Sequence, residues 1–375
     1  MTAAAGSAAG DRTGRLASEL RERAVDVLLV GTAVNLRYLT GFTGTHGLAL
    51  IAAAGEGEST VAPHRFFTDF RYATQSAEQV PDTFEREIVA GNLLEAIPPS
   101  LPPGGGRLGF DEASLTVSVH TRLGELLGEA WELIPCAGAV ERLRAVKDAG
   151  ELARIRAACE LADEALQSVV QDGVVGRSER DVAIELELRM RRLGAEAPSF
   201  PSIVAAGAHG ALPHAEPREE KIPRNVLLTI DWGARHEGYC SDCTRTYATG
   251  EGVSAEAREV YALVLAAQQE ALAAVKEGPT GRELDAVARG VIERAGFGEH
   301  FGHGLGHGVG MEIHEGPRLS RTAGEEPLAA GNVVTVEPGV YLPGRLGVRI
   351  EDLLLVTRGA PAVLTSLSKA LTVIS

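Results

Sequence analysis

The segment VLLTIDWGARHEGYCSDCTRTYA (226–248) decides the fold of this chain. Its first five residues, VLLTI (226–230), have the pattern of a buried strand and run directly into Asp231. Glycines near the middle of the segment predict that the chain turns back as a β-hairpin. This hairpin places Asp231 roughly opposite Asp242 on the adjacent strand. Two carboxylates so close repel each other, which predicts a cation between them.

Two cysteines in the same segment, Cys240 and Cys243, form a C-x-x-C pair, a spacing typical of zinc sites and redox motifs. Side chains alternate faces along a strand, so Cys240 and Asp242 share one face and Cys243 points to the other. The chain has no second C-x-x-C to complete a zinc ribbon. We therefore expect Asp242 to carry the chemistry and the cysteines to fill the core.

Two further apolar runs in the second half of the chain also end in an acid. VVTV (333–336) precedes Glu337, and LGVRI (346–350) precedes Glu351. A buried carboxylate is costly unless it is paired, hydrogen-bonded or bound to a metal. Together with Asp231, these acids predict a site built on rigid strands.

A glycine-rich stretch, FGHGLGHGVGMEIHEGP (301–317), carries His303, His307 and His314. The glycines disfavour a helix and let the backbone approach a ligand closely. One histidine in a mobile loop would be incidental, whereas three of the chain's ten indicate a pocket wall. Their spacing differs from H-E-x-x-H, which excludes a helix-borne zinc site.

The donors collected in this way are four carboxylates and one or more imidazoles. An oxygen-rich set suits Mn²⁺, Co²⁺ or Fe²⁺, with Zn²⁺ as an alternative. It has enough ligands for two bridged ions, an arrangement that makes water a nucleophile and holds a carbonyl oxygen. The residues alone thus predict a dinuclear metallohydrolase.

Composition indicates an ordinary soluble globular protein. The chain has 375 residues, 45% hydrophobic and 23% charged, enough for two domains and a large core. A net charge of −15 without a dense Lys/Arg run argues against nucleic acid and membrane partners. No apolar run approaches the roughly 20 residues of a membrane span. The absence of a secretory-signal pattern and of a disulfide-framework spacing predicts a cytoplasmic protein.

The sequence pattern of the chain changes near residue 140. Strand-like runs, including VDVLLV (25–30) and LALIAAA (48–54), alternate with helical segments and predict an α/β domain over 1–143. Residues 1–14 are expected to be a flexible tail. The remainder, 144–375, is predicted to be an α+β domain.

Three helices are predicted in the second domain. From Asp148, apolar residues recur every third or fourth position, as in an amphipathic helix. The pairs Ser178 with Asp181 and Thr280 with Glu283 have capping-box spacing and mark two further helix starts.

Five motifs of the second domain give a resemblance that covers roughly residues 145–375. The identity and the order of these motifs resemble those of the pita-bread metallopeptidases, the family of methionine aminopeptidase, aminopeptidase P and prolidase. The motifs are DWG (231–233), GYCSDCTRTY (238–247), FGHGLGHGVG (301–310), TVEPGVY (335–341) and GVRIED (347–352). NLRYLTGF (35–42) and TDFRY (68–72) resemble the creatinase-type N-terminal domain of aminopeptidase P and prolidase.

The resemblance implies a complete set of metal ligands, whereas creatinase and non-catalytic members use the same fold without one. The implied ligands are Asp231, Asp242, His307, Glu337 and Glu351. Asp231 would bind one ion, and His307 with Glu337 the other. Asp242 and Glu351 would bridge two divalent ions, with Mn²⁺ preferred.

The resemblance also implies substrate-binding residues. His214 would hydrogen-bond the substrate near the scissile carbonyl, while His303 and His314 would flank the prolyl residue. In the implied reaction, hydroxide between the ions attacks the carbonyl before proline, and His214 and His314 hold the oxyanion. Glu337 moves the proton to the leaving nitrogen. Arg349 either lies near the product carboxylate or forms a structural ion pair in the acidic cluster.

Several alternatives stay open. The implied activity is Xaa-Pro aminopeptidase, favoured by similarity to short bacterial aminopeptidase P-like proteins, or Xaa-Pro dipeptidase (prolidase). Another amide hydrolase, of methionine or other type, and a non-catalytic binding module are further alternatives. The N-terminal domain implies a homodimer. Two alternatives stay open for Asp69, Arg71 and Tyr72. They line the dimer interface or the access channel, or they form an ion pair inside the first domain. We favour the ion pair.

Overall fold

In the computed structural model, residues 2–54 and 63–375 are described. The chain forms two compact units, 1–144 and 145–375.

The first unit is built on a six-stranded sheet. Its strands are Val27–Val30 (β1), Leu48–Ala52 (β2), His64–Thr68 (β3), Phe84–Ile88 (β4), Gly106–Phe110 (β5) and Trp131–Pro135 (β6). They follow the order β4-β3-β2-β1-β5-β6, with both antiparallel and parallel pairs. The accompanying helices are Thr2–Glu22 (α1), Ala33–Thr40 (α2), Ala73–Gln79 (α3), Ile97–Ser100 (α4), Val117–Leu127 (α5) and Ala139–Ala145 (α6). The predicted α/β class of this unit is confirmed.

The segment expected to be a flexible tail, residues 1–14, lies from residue 2 onward within α1, Thr2–Glu22. Alanine-rich sequence has high helix propensity, and tertiary contacts fix the helix further along. Arg12 Nη1 donates to the Tyr38 carbonyl at 2.9 Å, and the guanidinium lies 4.2 Å from the centre of the Tyr38 ring. The cation–π contact and this hydrogen bond anchor α1 to α2.

The second unit combines short antiparallel sheets with long helices, which confirms the α+β class. Its first strands are Ala197–Pro198 (β7), Ile203–Ala206 (β8), Leu227–Trp232 (β9), Ala234–His236 (β10), Tyr239–Cys240 (β11) and Cys243–Ala248 (β12). The later ones are Gly306–Gly308 (β13), Glu315–Leu319 (β14), Val333–Val336 (β15), Gly339–Leu342 (β16), Leu346–Arg349 (β17), Asp352–Leu355 (β18) and Ala362–Val363 (β19). The sheet orders are β12-β9-β8, β11-β10-β7, β14-β13-β15-β18-β19 and β16-β17.

The long helices of this unit are Ala149–Gln171 (α7), Glu179–Arg192 (α8), Ala255–Ala274 (α9) and Gly281–Arg294 (α10). The amphipathic helix predicted from Asp148 is confirmed as α7, which buries the apolar face and begins with a full capping box. Ser178 caps α8, and Thr280 with Glu283 caps α10, as predicted.

The strand that carries Asp231 lies in the core of this unit. Trp232, the next residue on β9, is fully buried, and its indole nitrogen donates to the Ala162 carbonyl of α7 at 2.9 Å. A buried indole with its hydrogen bond satisfied fixes the strand against the helix. Within the described part of the chain, none of the helices has the length and apolar character needed to span a bilayer.

Candidate active site

The segment 226–248 forms the predicted hairpin. Glu237 and Gly238 turn the chain with positive φ angles of 45° and 84°, as a two-residue hairpin loop requires. The register differs from the expected one because Asp231 pairs with Thr244, two residues beyond Asp242. Asp242 instead lies in the break between β11 and β12, so the irregularity brings its carboxylate toward the site.

The two glutamates lie just after their strands. Glu337 follows β15, and its amide donates to the Leu305 carbonyl at 2.8 Å. Glu351 lies between β17 and β18, where its amide donates to the Thr244 carbonyl at 3.1 Å. The Thr244 hydroxyl also donates to Glu351 Oε2 at 2.7 Å. The hairpin strand β12 thus holds Glu351 beside the aspartates.

His307 completes the cluster from β13. Its Nε2 lies 3.3 Å from Glu337 Oε1 and 3.5 Å from Asp242 Oδ2. Ligand atoms of Asp242, His307 and Glu351 all lie within 4.8 Å of one another. The neighbouring glycines allow this approach, since a Cβ on Gly306 or Gly308 would lie 2.1 Å from a carbonyl oxygen of an adjacent strand.

The electrostatics of the cluster oppose ionisation of three of its four acids. Burial, reinforced by the neighbouring carboxylates, raises the pKa of Asp242 and Glu351 well above the ordinary value. Burial likewise raises the pKa of Asp231. Burial acts on Glu337 in the same sense, but the hydrogen bond and positive charge of His307 lower the pKa of Glu337 to about 2. The cluster therefore combines one stable anion with three acids that need a cation.

The donor set fits divalent cations. Among the described residues, Asp231 Oδ1 and Glu351 Oε1 are buried oxygens without a hydrogen-bond partner. Buried acceptors are normally satisfied, so these two atoms call for a further ligand. Four carboxylates and one imidazole match the preference of Mn²⁺, Co²⁺ and related ions.

A cavity of about 470 Å³ opens onto the cluster. It brings together every site residue predicted in this domain: Asp231, Asp242, His307, Glu337 and Glu351 as metal ligands, and His214, His303, His314 and Arg349 for substrate. Apolar side chains form part of its wall, among them Phe200, Ile203 and Ile313. The site is therefore a concave pocket with converging polar groups.

The histidine rings are held at the cavity in defined contacts. His307 and His314 lie edge to face, with ring centres 4.3 Å apart. Burial lowers the pKa of His303 and His314, so both imidazoles are predominantly neutral near pH 7. A neutral imidazole offers one N–H donor and one acceptor.

Tyr341 is a site residue that sequence reasoning missed, although it stands in the motif TVEPGVY. Its hydroxyl lies 3.0 Å from His303 Nε2 and accepts a hydrogen bond from Arg349 Nη1 at 2.8 Å. Arg349 Nη2 donates in turn to Asp231 Oδ2 at 2.6 Å. The pairing of β16 with β17 produces this chain of contacts, and the strand pattern alone does not reveal it. The ion pair considered for Arg349 is present.

The residues singled out in the first unit form a local cluster. Arg71 Nη2 donates to Asp69 Oδ2 at 2.6 Å, and Arg71 Nε donates to Asp69 Oδ1 at 3.0 Å. The Tyr72 hydroxyl lies 2.7 Å from that of Thr45. The hydrogen bond from Arg71 lowers the pKa of Asp69. The ion pair that we favoured inside this domain is present.

The cysteines are expected to be inert toward thiol reagents in the native protein. All four are free and buried, and burial raises the pKa of Cys159 and Cys243 well above the ordinary value. We predict that Ellman's reagent labels fewer than about one thiol per native chain and all four after unfolding. Rapid labelling of two native thiols would contradict the core role assigned to Cys240 and Cys243.

Comparison with protein families gives two matches in chain order. A model described as Creatinase/Prolidase N-terminal domain matches residues 12–146, and one described as Metallopeptidase family M24 matches residues 153–358.

Individual relatives match over nearly the whole chain. An uncharacterized peptidase of Bacillus subtilis is 39% identical over 93% of this chain and 96% of its own length. The structure of an Xaa-Pro dipeptidase from Bacillus anthracis superposes with a TM-score of 0.91 at 39% identity, covering 97% of this chain and 99% of that one. An X-Pro aminopeptidase from Thermotoga maritima gives 0.84 at 36% identity, covering 94% and 99%.

Proposed function

Because the chain belongs to metallopeptidase family M24 and has the pita-bread fold behind a creatinase/prolidase N-terminal domain, we propose that it hydrolyses Xaa-Pro bonds at the amino end of peptides. One observation carries the proposal: the five proposed metal ligands and the four polar residues proposed to contact substrate line the same cavity. A binding module would have no need of that combination. The substrate preference is supported by relatives described as Xaa-Pro peptidases.

The proposed metal ligands are Asp231, Asp242, His307, Glu337 and Glu351, and they would hold two divalent ions, with Mn²⁺ preferred for an oxygen-rich set. When bound, such ions supply Lewis acidity and make water a nucleophile near neutral pH. Glu337 is anionic at neutral pH, because the hydrogen bond and charge of His307 lower its pKa to about 2.

An Xaa-Pro bond is a tertiary amide, so its nitrogen must receive a proton as it leaves. Glu337 is the proposed carrier of that proton. His214 and His314 line the cavity from two segments that are distant in the sequence. Both imidazoles are proposed to donate a hydrogen bond to the developing oxyanion. The apolar wall formed by residues such as Phe200 and Ile313 suits a proline ring.

The second candidate is an Xaa-Pro dipeptidase. The Bacillus anthracis structure is described by that name, and so is a Pyrococcus horikoshii protein that is 33% identical over 93% of this chain and 95% of its own length. The two activities differ in whether the pocket accepts residues after proline. We further propose a cytoplasmic homodimer, which is supported by four free cysteines and by the creatinase-type domain.

The experiment is hydrolysis of a matched set: an Xaa-Pro dipeptide, an Xaa-Pro-Yaa tripeptide and a Met-Ala-Ser control, each with Mn²⁺ and with a chelator. Tripeptide cleavage abolished by chelation supports the aminopeptidase, and cleavage of the dipeptide alone supports the dipeptidase. Activity confined to Met-Ala-Ser overturns the proline specificity. No cleavage by a protein with bound metal overturns the peptidase proposal.

Tyr341→Phe is expected to lower kcat/KM for the preferred peptide about ten- to a hundredfold, because a hydrogen bond to a charged group contributes about 1.5–3 kcal/mol. The hydroxyl is the partner of both Arg349 and His303, so its loss frees the arginine that touches Asp231. Steady-state kinetics with parallel metal analysis make the measurement. Tyr261→Phe is the matched control, since that buried hydroxyl bonds the Lys369 carbonyl and does not line the cavity. Equal losses in both variants would contradict a role at the site.

A further inference from the structure

The segment 206–218, here called the His214 loop, forms one wall of the cavity. It contains a short 3₁₀ helix, Gly207–Ala211, followed by five consecutive lining residues. These are Pro213, His214, Ala215, Glu216 and Pro217. The position of this whole wall depends on what holds the loop at its two ends.

Glu179, the first residue of α8, holds both ends through one carboxylate. We propose that Glu179 is a positioning residue that fixes the His214 loop. Its Oε1 accepts a hydrogen bond from the Ala206 amide at 2.8 Å, at the start of the loop. Its Oε2 accepts one from the Arg218 amide at 3.1 Å, at the end of the loop.

The same carboxylate also holds the 3₁₀ helix. Glu179 Oε2 lies 2.8 Å from His209 Nδ1, which donates to it as the imidazole N–H. The side chain of Glu179 is 1% exposed and that of His209 is 6% exposed, so water does not screen this contact. A buried carboxylate that is fully satisfied in this way rigidifies the segments it joins.

The inner side of the loop contacts the strands that carry the site. A Cβ on Gly347 would lie 1.8 Å from the Gly210 carbonyl oxygen, so β17 and the 3₁₀ helix touch backbone to backbone. Arg349 Nη1 donates to the Pro213 carbonyl at 3.2 Å, one residue before His214. A shift of the loop therefore moves His214 and changes the hydrogen bond between Arg349 and the Pro213 carbonyl.

Loss of the Glu179 side chain should loosen the loop without unfolding the domain. The Ser178 cap of α8 is independent of it. Backbone bonds also secure the far end: the Arg180 amide donates to the Arg218 carbonyl at 3.0 Å, and the Glu179 amide donates to the Glu220 carbonyl at 3.3 Å. The contacts that depend on the carboxylate alone are those to Ala206, to His209 and to Arg218, whose amide and guanidinium Nε both donate to Oε2, the latter at 3.4 Å.

The expected effect of Glu179→Gln is a roughly ten- to hundredfold fall in kcat/KM, because a displacement of about 1 Å costs up to a hundredfold in rate. The inference rests on the proposed function only for the role of His214 in catalysis. A double-mutant cycle separates positioning from a merely structural effect. If Glu179 acts through His214, Glu179→Gln adds little loss in a His214→Ala background. If the loss in kcat/KM of the double variant equals the product of the two single losses, the proposal is overturned.

A second readout needs no substrate, so it remains valid if the chain cleaves no Xaa-Pro peptide. Hydrogen–deuterium exchange of the Mn²⁺-loaded protein should increase in 206–214 for Glu179→Gln, with metal content unchanged. His209→Ala removes only the imidazole contact to Glu179 and should give a smaller increase in exchange of the same segment. This variant tests the proposal if Glu179→Gln does not fold. Glu219→Gln, an exposed acid paired with Arg180, is the matched control. If hydrogen–deuterium exchange of residues 206–214 is unchanged in both test variants, the proposal that Glu179 fixes the His214 loop is overturned.

Discussion

Glu337→Gln is expected to lower kcat for an Xaa-Pro peptide by about a thousandfold, within the range of general acid–base catalysis. Glutamine keeps the shape of the side chain but cannot take up and release a proton. In the native chain His307 Nε2 lies 3.3 Å from Glu337 Oε1 and holds the carboxylate in its ionised form. The substitution removes both the proton carrier and the anionic partner of that imidazole.

The measurement is steady-state hydrolysis over pH 6–9, accompanied by metal analysis of the same samples. Glu337 is a proposed ligand as well as a proton carrier, so the metal content decides which function was lost. Retained metal with lost turnover assigns the proton transfer. Glu326→Gln, an exposed acid of the same unit, is the control. Near-normal turnover by a metal-replete Glu337→Gln protein would contradict the proposed mechanism.

Removal of metal is expected to give the second largest effect, a fall of about 10 °C or more in the Tm of the second unit. Binding at a thousandfold excess over Kd stabilises the native state by about 4 kcal/mol per site, and about 10 °C follows for a domain of this size. The carboxylates of Asp231, Asp242 and Glu351 repel one another once the cation is gone.

The pH dependence of the metal-free protein has a definite sign. The pKa values of Asp231, Asp242 and Glu351 are raised in the folded state, so their contribution to stability is present below about pH 4 and is lost as the pH rises through the folded pKa values. Although burial lowers the pKa of His307, Glu337 raises it overall. The contribution of His307 to stability is therefore also lost as the pH rises above 6.5. Glu337, with a pKa of about 2, is ionised throughout.

Thermal unfolding of chelated and Mn²⁺-loaded protein at pH 6, 7 and 8 tests this expectation. The difference in Tm should grow with pH, because metal binds the deprotonated ligands and the metal-free state weakens. A Tm difference that is constant from pH 6 to 8 would contradict the assigned carboxylate cluster. Sodium chloride at matched ionic strength provides the control.

The sequence predicted Asp231, Glu337 and Glu351 because each follows an apolar run, and such a pattern is a local property. It also predicted α7 and the helix caps, whose signals lie within a few residues. The register of the hairpin was less well predicted: Asp231 pairs with Thr244 because the chain breaks its pairing at Asp242. A local pattern does not contain such an irregularity.

Contacts between distant segments account for what the sequence could not reveal. Tyr341 reaches Arg349 through the β16–β17 hairpin, and Glu179 meets residues 27 to 39 positions away. In the sequence, Glu179 is an ordinary acid in the first turn of a helix, where such residues are common. The helix α1 was missed because alanine and glycine near a terminus were interpreted as disorder, whereas contacts of Arg12 with Tyr38 stabilise it.

The buried indole of Trp232 offers an optical signal from the core next to the site. The chain has two tryptophans, Trp131 in the first unit and Trp232 beside Asp231 in the second. A Trp131→Phe chain would therefore emit from a single indole, one residue from a proposed ligand. Its intrinsic fluorescence would follow metal loading and unfolding of the second unit in real time, without a label and without substrate.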